Sequence, residues 1–206
     1  MLAIIGTYRK DEYLPKLMES LETYATGIDR YVFIDDSNDP FMATYLDTLG
    51  TVIETFGEGY GAAMKAAIEV GRAEDDNVVW LEEDFRLRAP VNFKEMSDWL
   101  DINRGVAQTV LQRQAWYPVE VANGGMIQAV RYSGKQVDEY QGYYLHNAFF
   151  SCNPSVWRKE IWKQDWPTGD NSEYKFYMRL KNQGYKFALT KDIVCHHDGV
   201  RSGKGY

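Results

Sequence analysis

The chain predicts an α/β domain with a mostly parallel central sheet flanked by helices. Three observations carry this. Through roughly the first two thirds of the 206 residues, apolar β-favouring runs alternate with segments of helical period. The runs are too continuously apolar to leave one face in water, so helices must cover both faces. Polar clusters fall where strands of such sheets meet their ligands, at the carboxyl ends: Thr7-Tyr8-Arg9, Asp35-Asp36, Gly59 to Gly61 and Glu82 to Asp84.

Leu2 to Gly6 is the first strand, and Leu14, Leu17, Met18 and Leu21 follow at helical spacing behind Asp11 as cap. Arg30 to Ile34 is a second strand, after which Phe41, Tyr45 and Leu49 mark a short helix. Thr51 to Phe56 is a third strand, leading through Gly57-Glu58-Gly59-Tyr60-Gly61 into an alanine-rich helix that runs to about Gly71. Val78 to Leu81 is the fourth. Phe93, Met96, Trp99 and Leu100 predict a helix, whereas Val106 to Tyr144 has no helical period and reads as irregular strands and loops. Leu145 to Ser151 reads as a strand, and Asn153-Pro154 as the start of a helix reaching Trp162. Asp170-Asn171-Ser172 offers caps for a helix carrying Tyr174, Tyr177, Met178 and Leu180, stopped by Gly184. Tyr185 to Leu189 and Ile193 to Cys195 read as two short terminal strands. No repeat or linker divides the chain, so one domain is expected.

Composition narrows the function classes. A hydrophobic content of 45% supports a folded core, and a net charge of -7 argues against broad nucleic-acid binding. No apolar run approaches the roughly 18 residues of a membrane span, and Met1 to Ile5 is too short and uncharged for a signal peptide. A soluble, cytoplasmic protein is expected. Cys152 and Cys195 lack CxxC spacing and are read as reduced, buried thiols.

Val78-Val79-Trp80-Leu81-Glu82-Glu83-Asp84 carries the most chemistry. Adjacent carboxylates at the mouth of an apolar strand repel one another unless water or a cation offsets their charge. Alternation puts Glu82 and Asp84 on one face and Glu83 on the other. Two oxygen donors on one face suit Mn2+ or Mg2+, which keeps positions open for water or phosphate.

In order and spacing these pieces resemble a GT-A-fold glycosyltransferase, most similar to the inverting family 2 group, over nearly the whole chain. Ile4-Ile5-Gly6-Thr7-Tyr8-Arg9 resembles the first strand and nucleotide loop, Phe33-Ile34-Asp35-Asp36-Ser37 the nucleoside-binding acid, and Leu81-Glu82-Glu83-Asp84 the DxD-type metal motif. Asn147-Ala148-Phe149-Phe150 with Trp157-Arg158-Lys159 resembles the acceptor-side strand and helix, and Glu173 through Arg179-Leu180 to Gly184-Tyr185 the segment bearing the catalytic base. The metal motif departs from the family in reading Glu-Glu-Asp where aspartates are usual.

The resemblance implies a GT-A-like single domain over 1–206, with a nucleotide-sugar-binding half (1–90) and an acceptor-binding, catalytic half (91–206) holding a smaller acceptor-side sheet. It implies a metal-dependent hexosyl transfer from a nucleoside-diphosphate sugar, with UDP expected, to an acceptor hydroxyl with inversion. Asp84 and Glu82 would hold Mn2+ or Mg2+. A histidine from Cys195-His196-His197-Asp198 would join them, His196 being favoured by its place at the strand end and His197 staying open. Thr7, Arg9, Asp35 and Lys65 would contact the nucleoside, with Asp36 a turn or cap residue. Arg201 and Lys204 on the glycine-rich tail would close over the diphosphate. Glu173 is the implied base, kept ionised at a helix start, with Asp170 as its rival. The acceptor is left open among saccharide, protein, lipid and modified DNA base, and Trp116-Tyr117, Tyr140, Tyr143-Tyr144, Trp162 and Trp166 are candidates for its aromatic wall. Two other classes compete. A sugar-nucleotide nucleotidyltransferase needs a glycine-rich triphosphate loop, of which only Gly6 is present, and a non-catalytic nucleotide-sugar or carbohydrate-binding protein needs no base.

Overall fold

The computed structural model describes residues 1–8 and 12–199. Arg9, Asp11, Arg201 and Lys204, all assigned roles above, lie outside the described residues. The chain opens with β1 (Leu2–Thr7), α1 (Leu14–Tyr24), β2 (Ala25–Thr26), β3 (Arg30–Asp35), α2 (Pro40–Asp47), β4 (Thr51–Glu54), α3 (Tyr60–Arg72) and β5 (Val78–Glu82). β4, β3, β1 and β5 are neighbours, all parallel, and every residue of β1 is buried. After β5 the chain turns at Glu83-Asp84 into β6 (Phe85–Leu87), then β7 (Val91–Asn92), which pairs with β2 in a second, two-stranded sheet, and α4 (Phe93–Ile102).

The second half extends the same main sheet in a mixed pattern. It comprises β8 (Val106–Arg113), α5 (Pro118–Asn123), α6 (Met126–Tyr132), β9 (Val137–Tyr140), β10 (Tyr143–His146), β11 (Ser155–Trp157), α7 (Lys159–Trp162), α8 (Ser172–Asn182) and β12 (Lys186–His197). β11 lies antiparallel between β5 and β8, and β12 runs parallel to β8. The carboxyl ends of β1, β3, β5, β8 and β12 therefore face one edge.

Alternation divides the apolar side chains between two cores. Ile4, Trp80 and Trp157 point to one face with Met64, Ile68, Trp162, Phe176 and Leu180; Ile5, Val79, Leu81 and Val156 point to the other with Leu17, Leu21, Phe93 and Leu100. Each such fully buried Ile, Leu, Val or Phe stabilises the fold by about 1.5–3 kcal/mol relative to exposure. The helix-covered α/β class therefore holds. Gly71 lets α3 close on α7, because a Cβ there would overlap the Trp162 ring.

Four local readings are corrected. α2 starts where expected, with Asp39 accepting from the Phe41 amide and Pro40 in its first turn, but it buries Met42 and Leu46 under Phe33 and leaves Phe41 88% exposed. Both sets are spaced by four residues, so periodicity alone does not choose between them. Residues 118–132 form two short helices rather than loops; Pro118, Glu120 and the left-handed Gly124 are their local signals. Pro154 precedes a strand instead of starting a helix: β11 is only three residues long, too short for any period, and sheet pairing on both sides fixes it. The two terminal strands are one, β12, whose register against β8 shifts at bulges and carries its end beyond β8 to pair with β6. Cys152 and Cys195 are buried free thiols, and among the described residues no helix is long and apolar enough to cross a membrane.

Candidate active site

A cleft of about 1250 Å³ opens at this edge. Its walls come from the start of α3 (Tyr60, Gly61), the end of β5 (Glu82), Phe85, Arg113, the loop after β10 (148–153), the start of α8 and His197. The strand expected to continue to Ser151 stops at His146, which frees the following loop to line the cleft.

Asp84 and His197 meet at the edge of this cleft. β12 pairs its last residues with β6, His196 opposite Arg86 and His197 opposite Phe85, so the two imidazoles point in opposite directions. His197 Nε2 lies 3.3 Å from Asp84 Oδ2, and the amide of Asp198 donates to the Asp84 carbonyl at 2.8 Å. His196 turns the other way: its Nδ1 lies 2.8 Å from Asp198, which Arg86 also contacts at 2.7 Å. The histidine favoured by its position at the strand end is thus the one aimed away from Asp84. A Cβ at Gly199 would overlap Asp84 Oδ2 and stand 2.9 Å from His197 Nε2, so the chain passes over the pair as closely as glycine permits. Among the described residues His197 Nδ1 is buried without a hydrogen-bond partner.

A carboxylate oxygen facing an imidazole nitrogen is a donor set that fits Mn2+ well and Mg2+ through its oxygen. β5 ends at Glu82 and the chain turns at Glu83-Asp84, so strand alternation stops before the metal motif is complete. Glu82 lines the cleft and acts electrostatically on Tyr60 and Cys152. Among the described residues no three His, Cys, Asp or Glu side chains converge as a metal cluster. Glu83 is buried against the end of β1, its side chain accepting from the Tyr8 amide at 2.8 Å and its own amide donating to the Gly6 carbonyl at 3.1 Å.

Glu173 occupies the first turn of α8 in the cleft wall, and the Cys152 amide donates to its Oε1 at 3.0 Å. Burial lifts its carboxyl above the ordinary range, and the Cys152 amide opposes this in part. The helix start therefore does not keep Glu173 as readily ionised as expected; desolvation outweighs it. Burial and the neighbouring carboxylates Glu173 and Glu82 also raise the Cys152 thiol and the Tyr60 hydroxyl well above their usual values, so both stay protonated beside Glu173. Asp170 is exposed at the rim of the same cleft.

On the nucleoside side, Thr7 and Asp35 are brought together and buried. The Thr7 hydroxyl lies 3.3 Å from Asp35, and the amide and hydroxyl of Ser37 both donate to the Asp35 carboxylate at 3.0 Å. The Asp35 carboxylate thereby fastens its own loop to β1. Asp36 is more than a turn residue: buried, it accepts from the Thr55 hydroxyl at 2.6 Å and the Gly59 amide at 2.8 Å, tying the end of β3 to the start of α3. Lys65 is exposed one helical turn beyond Gly61.

The expected aromatic wall is mostly elsewhere. Trp162 and Trp166 are core residues, while Tyr140 and Tyr143 pack about Trp99. Of that set Tyr117 lines the cleft, together with Phe149, Phe150, Tyr174 and Tyr177. Two residues, Gln114 and Glu120, went unnoticed as site elements, and Trp116, expected in the aromatic wall, sits beside His197. Gln114 brackets His197, accepting from its amide and donating to its carbonyl, both at 3.0 Å. Trp116 packs on the His197 ring at 4.2 Å. Glu120 forms a buried two-pronged pair with Arg113, at 2.7 and 3.1 Å. The Glu120 signal lay in Pro118-Val119-Glu120, the first turn of a helix; nothing local marks Gln114.

No family model and no curated protein matches the sequence. Solved structures do. GalNAc-T7 with UDP, GalNAc and Mn2+ superposes with a TM-score of 0.67 at 14% identity, over 98% of this chain and 44% of that one. TarS 1–349 of S. aureus gives 0.61 at 15% identity, over 95% of this chain and 59% of that one. The chain thus spans about half the length of these glycosyltransferase structures. At such identities the likeness is one of architecture: the chain has a GT-A-like fold.

Proposed function

We propose that the protein is a metal-dependent glycosyltransferase that moves a hexose from a nucleoside-diphosphate sugar, with UDP the expected nucleotide, to an acceptor hydroxyl with inversion. The observation that carries this reading is a single cleft, in a GT-A-like fold, that has His197, paired with Asp84, in one wall and a carboxyl with a raised pKa, Glu173, in another. GalNAc-T7, solved with UDP and Mn2+, supports the donor and metal assignments by analogy. Asp84 and His197 would hold the divalent cation, which when bound neutralises charge on the departing diphosphate.

Glu173 does the proton work. As its carboxylate accepts the acceptor hydroxyl's proton, the oxygen's electron pair forms a bond to the anomeric carbon, and the carbon–oxygen bond to the diphosphate breaks with its pair leaving on phosphate. One displacement from the face opposite the leaving group inverts the centre. A raised pKa makes Glu173 a stronger base than an exposed glutamate, and the Cys152 amide orients the oxygen that does not take the proton. Asp170 at the rim is assigned to binding acceptor hydroxyls. The aromatic rings of the cleft suit a saccharide face better than a polyanion.

A thermal-shift screen of nucleoside diphosphates and their sugars with Mn2+, followed by product analysis, tests the reading. Stabilisation by UDP that requires Mn2+, with slow release of UDP from a UDP-sugar, is expected. Pyrophosphate release from a nucleoside triphosphate, or no stabilisation by any diphosphate, would overturn it.

A further inference from the structure

We infer that Gln114 and the Arg113–Glu120 ion pair are the positioning residues that keep His197 turned toward Asp84; this rests on the reading that Asp84 and His197 hold a divalent cation. His197 is the last residue of β12, beyond the end of β8, so β6 pairs with it on one side while the β8 ladder no longer reaches it on the other. The Gln114 side-chain amide takes over that task, bonding both the amide and the carbonyl of His197. Its ring is then held by packing, with Phe85 stacked at 4.4 Å and 11° and Trp116 at 4.2 Å.

Trp116 is held from behind. Glu120 Oε2 accepts from the amides of Trp116 at 2.8 Å and Tyr117 at 3.1 Å, while its two oxygens grip Arg113. One carboxylate thereby closes residues 113–120 into a ring carrying Gln114 and Trp116 on its rim. A buried ion pair is a poor way to gain stability alone, because desolvation offsets much of the attraction. What this pair accomplishes is geometric: it gathers two backbone amides and sets an indole against an imidazole. Residues that orient a metal-binding histidine typically change metal affinity about ten- to a hundredfold when removed.

The test measures Mn2+ binding by electron paramagnetic resonance in the presence of UDP, for wild type, Gln114→Ala, Gln114→Glu, Glu120→Gln and Asn77→Ala. Asn77 is the control: its amide ties Ser97 and Asp101 together before β5, at the opposite edge of the sheet, so its loss destabilises the fold away from the cleft. Gln114→Ala and Glu120→Gln are expected to weaken Mn2+ binding about ten- to a hundredfold. Gln114→Glu should fall between, since it keeps an acceptor for the His197 amide. Asn77→Ala should lower the melting temperature and leave Mn2+ affinity unchanged. Wild-type affinity in Gln114→Ala, or an equal loss in Asn77→Ala, overturns the positioning role. A wild-type protein that binds no Mn2+ with UDP overturns the metal reading, and the inference with it.

Discussion

The two halves of the main sheet build their share of the cleft by different means. In the parallel half, β4-β3-β1-β5, each strand delivers its polar cluster where it ends, and most partners come from neighbouring strand ends: Thr7 with Asp35, Asp36 with Thr55 and Gly59, Glu83 with Tyr8. In the mixed half, the functional side chains arrive from segments far apart in sequence. His197 reaches Asp84 only because β12 bulges past β8 onto β6, and Glu173 reaches the cleft through the loop amide of Cys152. The first arrangement makes a cross-braced floor, with Asp35 bonded within its own loop and to Thr7 and Asp36 bonded to the loop after β4. The second places His197 and Glu173 along the cleft. Recognition and chemistry should therefore fail separately when one half is altered.

The largest expected effect is on chemistry. Glu173→Gln should lower transfer about 10²- to 10⁴-fold while UDP binding is retained; turnover at the wild-type rate would remove Glu173 as the base. Next comes the floor. Met42→Ala should cost about 2–5 kcal/mol in urea unfolding, whereas Phe41→Ala should stay within about 0.5 kcal/mol, because only Met42 is buried. The reverse order would mean that α2 is rotated by one residue. Gly71→Ala should destabilise by about 1–3 kcal/mol through its clash with Trp162, and calorimetry would show whether α3 and α7 pack that closely.

The smallest effect concerns pH. Burial raises the folded-state pKa of Glu173 above its unfolded value of about 4.3, so its ionisation costs stability. That cost is absent below the unfolded pKa, grows as pH rises toward the raised folded pKa, and is complete above it. Glu173→Gln should accordingly melt higher than wild type near pH 8, with the difference vanishing below about pH 4. Equal melting curves at every pH would mean that Glu173 is solvated.

The same contrast explains what the sequence made legible. β1, β3, β5 and the helices after them follow from apolar runs and caps, because a buried parallel strand writes its burial into consecutive residues. Asp35, Asp84 and Glu173 were legible as strand-end or helix-start acids. The choice between His196 and His197 was not, since it depends on the pairing of β12 with β6, and neither was the turn at Glu83-Asp84 that ends strand alternation within the acidic triplet. β11 is three residues held by neighbours on both sides, and Gln114 owes its importance to a residue 83 positions away. Contacts of that kind leave no periodic trace.

The central claim is that the cleft binds a nucleoside diphosphate through a divalent cation held by Asp84 and His197. Calorimetric titration of UDP with and without Mn2+ into wild type, His197→Ala and His196→Ala tests it most directly. Mn2+-dependent binding, weakened at least about tenfold in His197→Ala and near wild type in His196→Ala, is the expected result. Binding that ignores Mn2+, or that is lost with His196 and kept without His197, would contradict it.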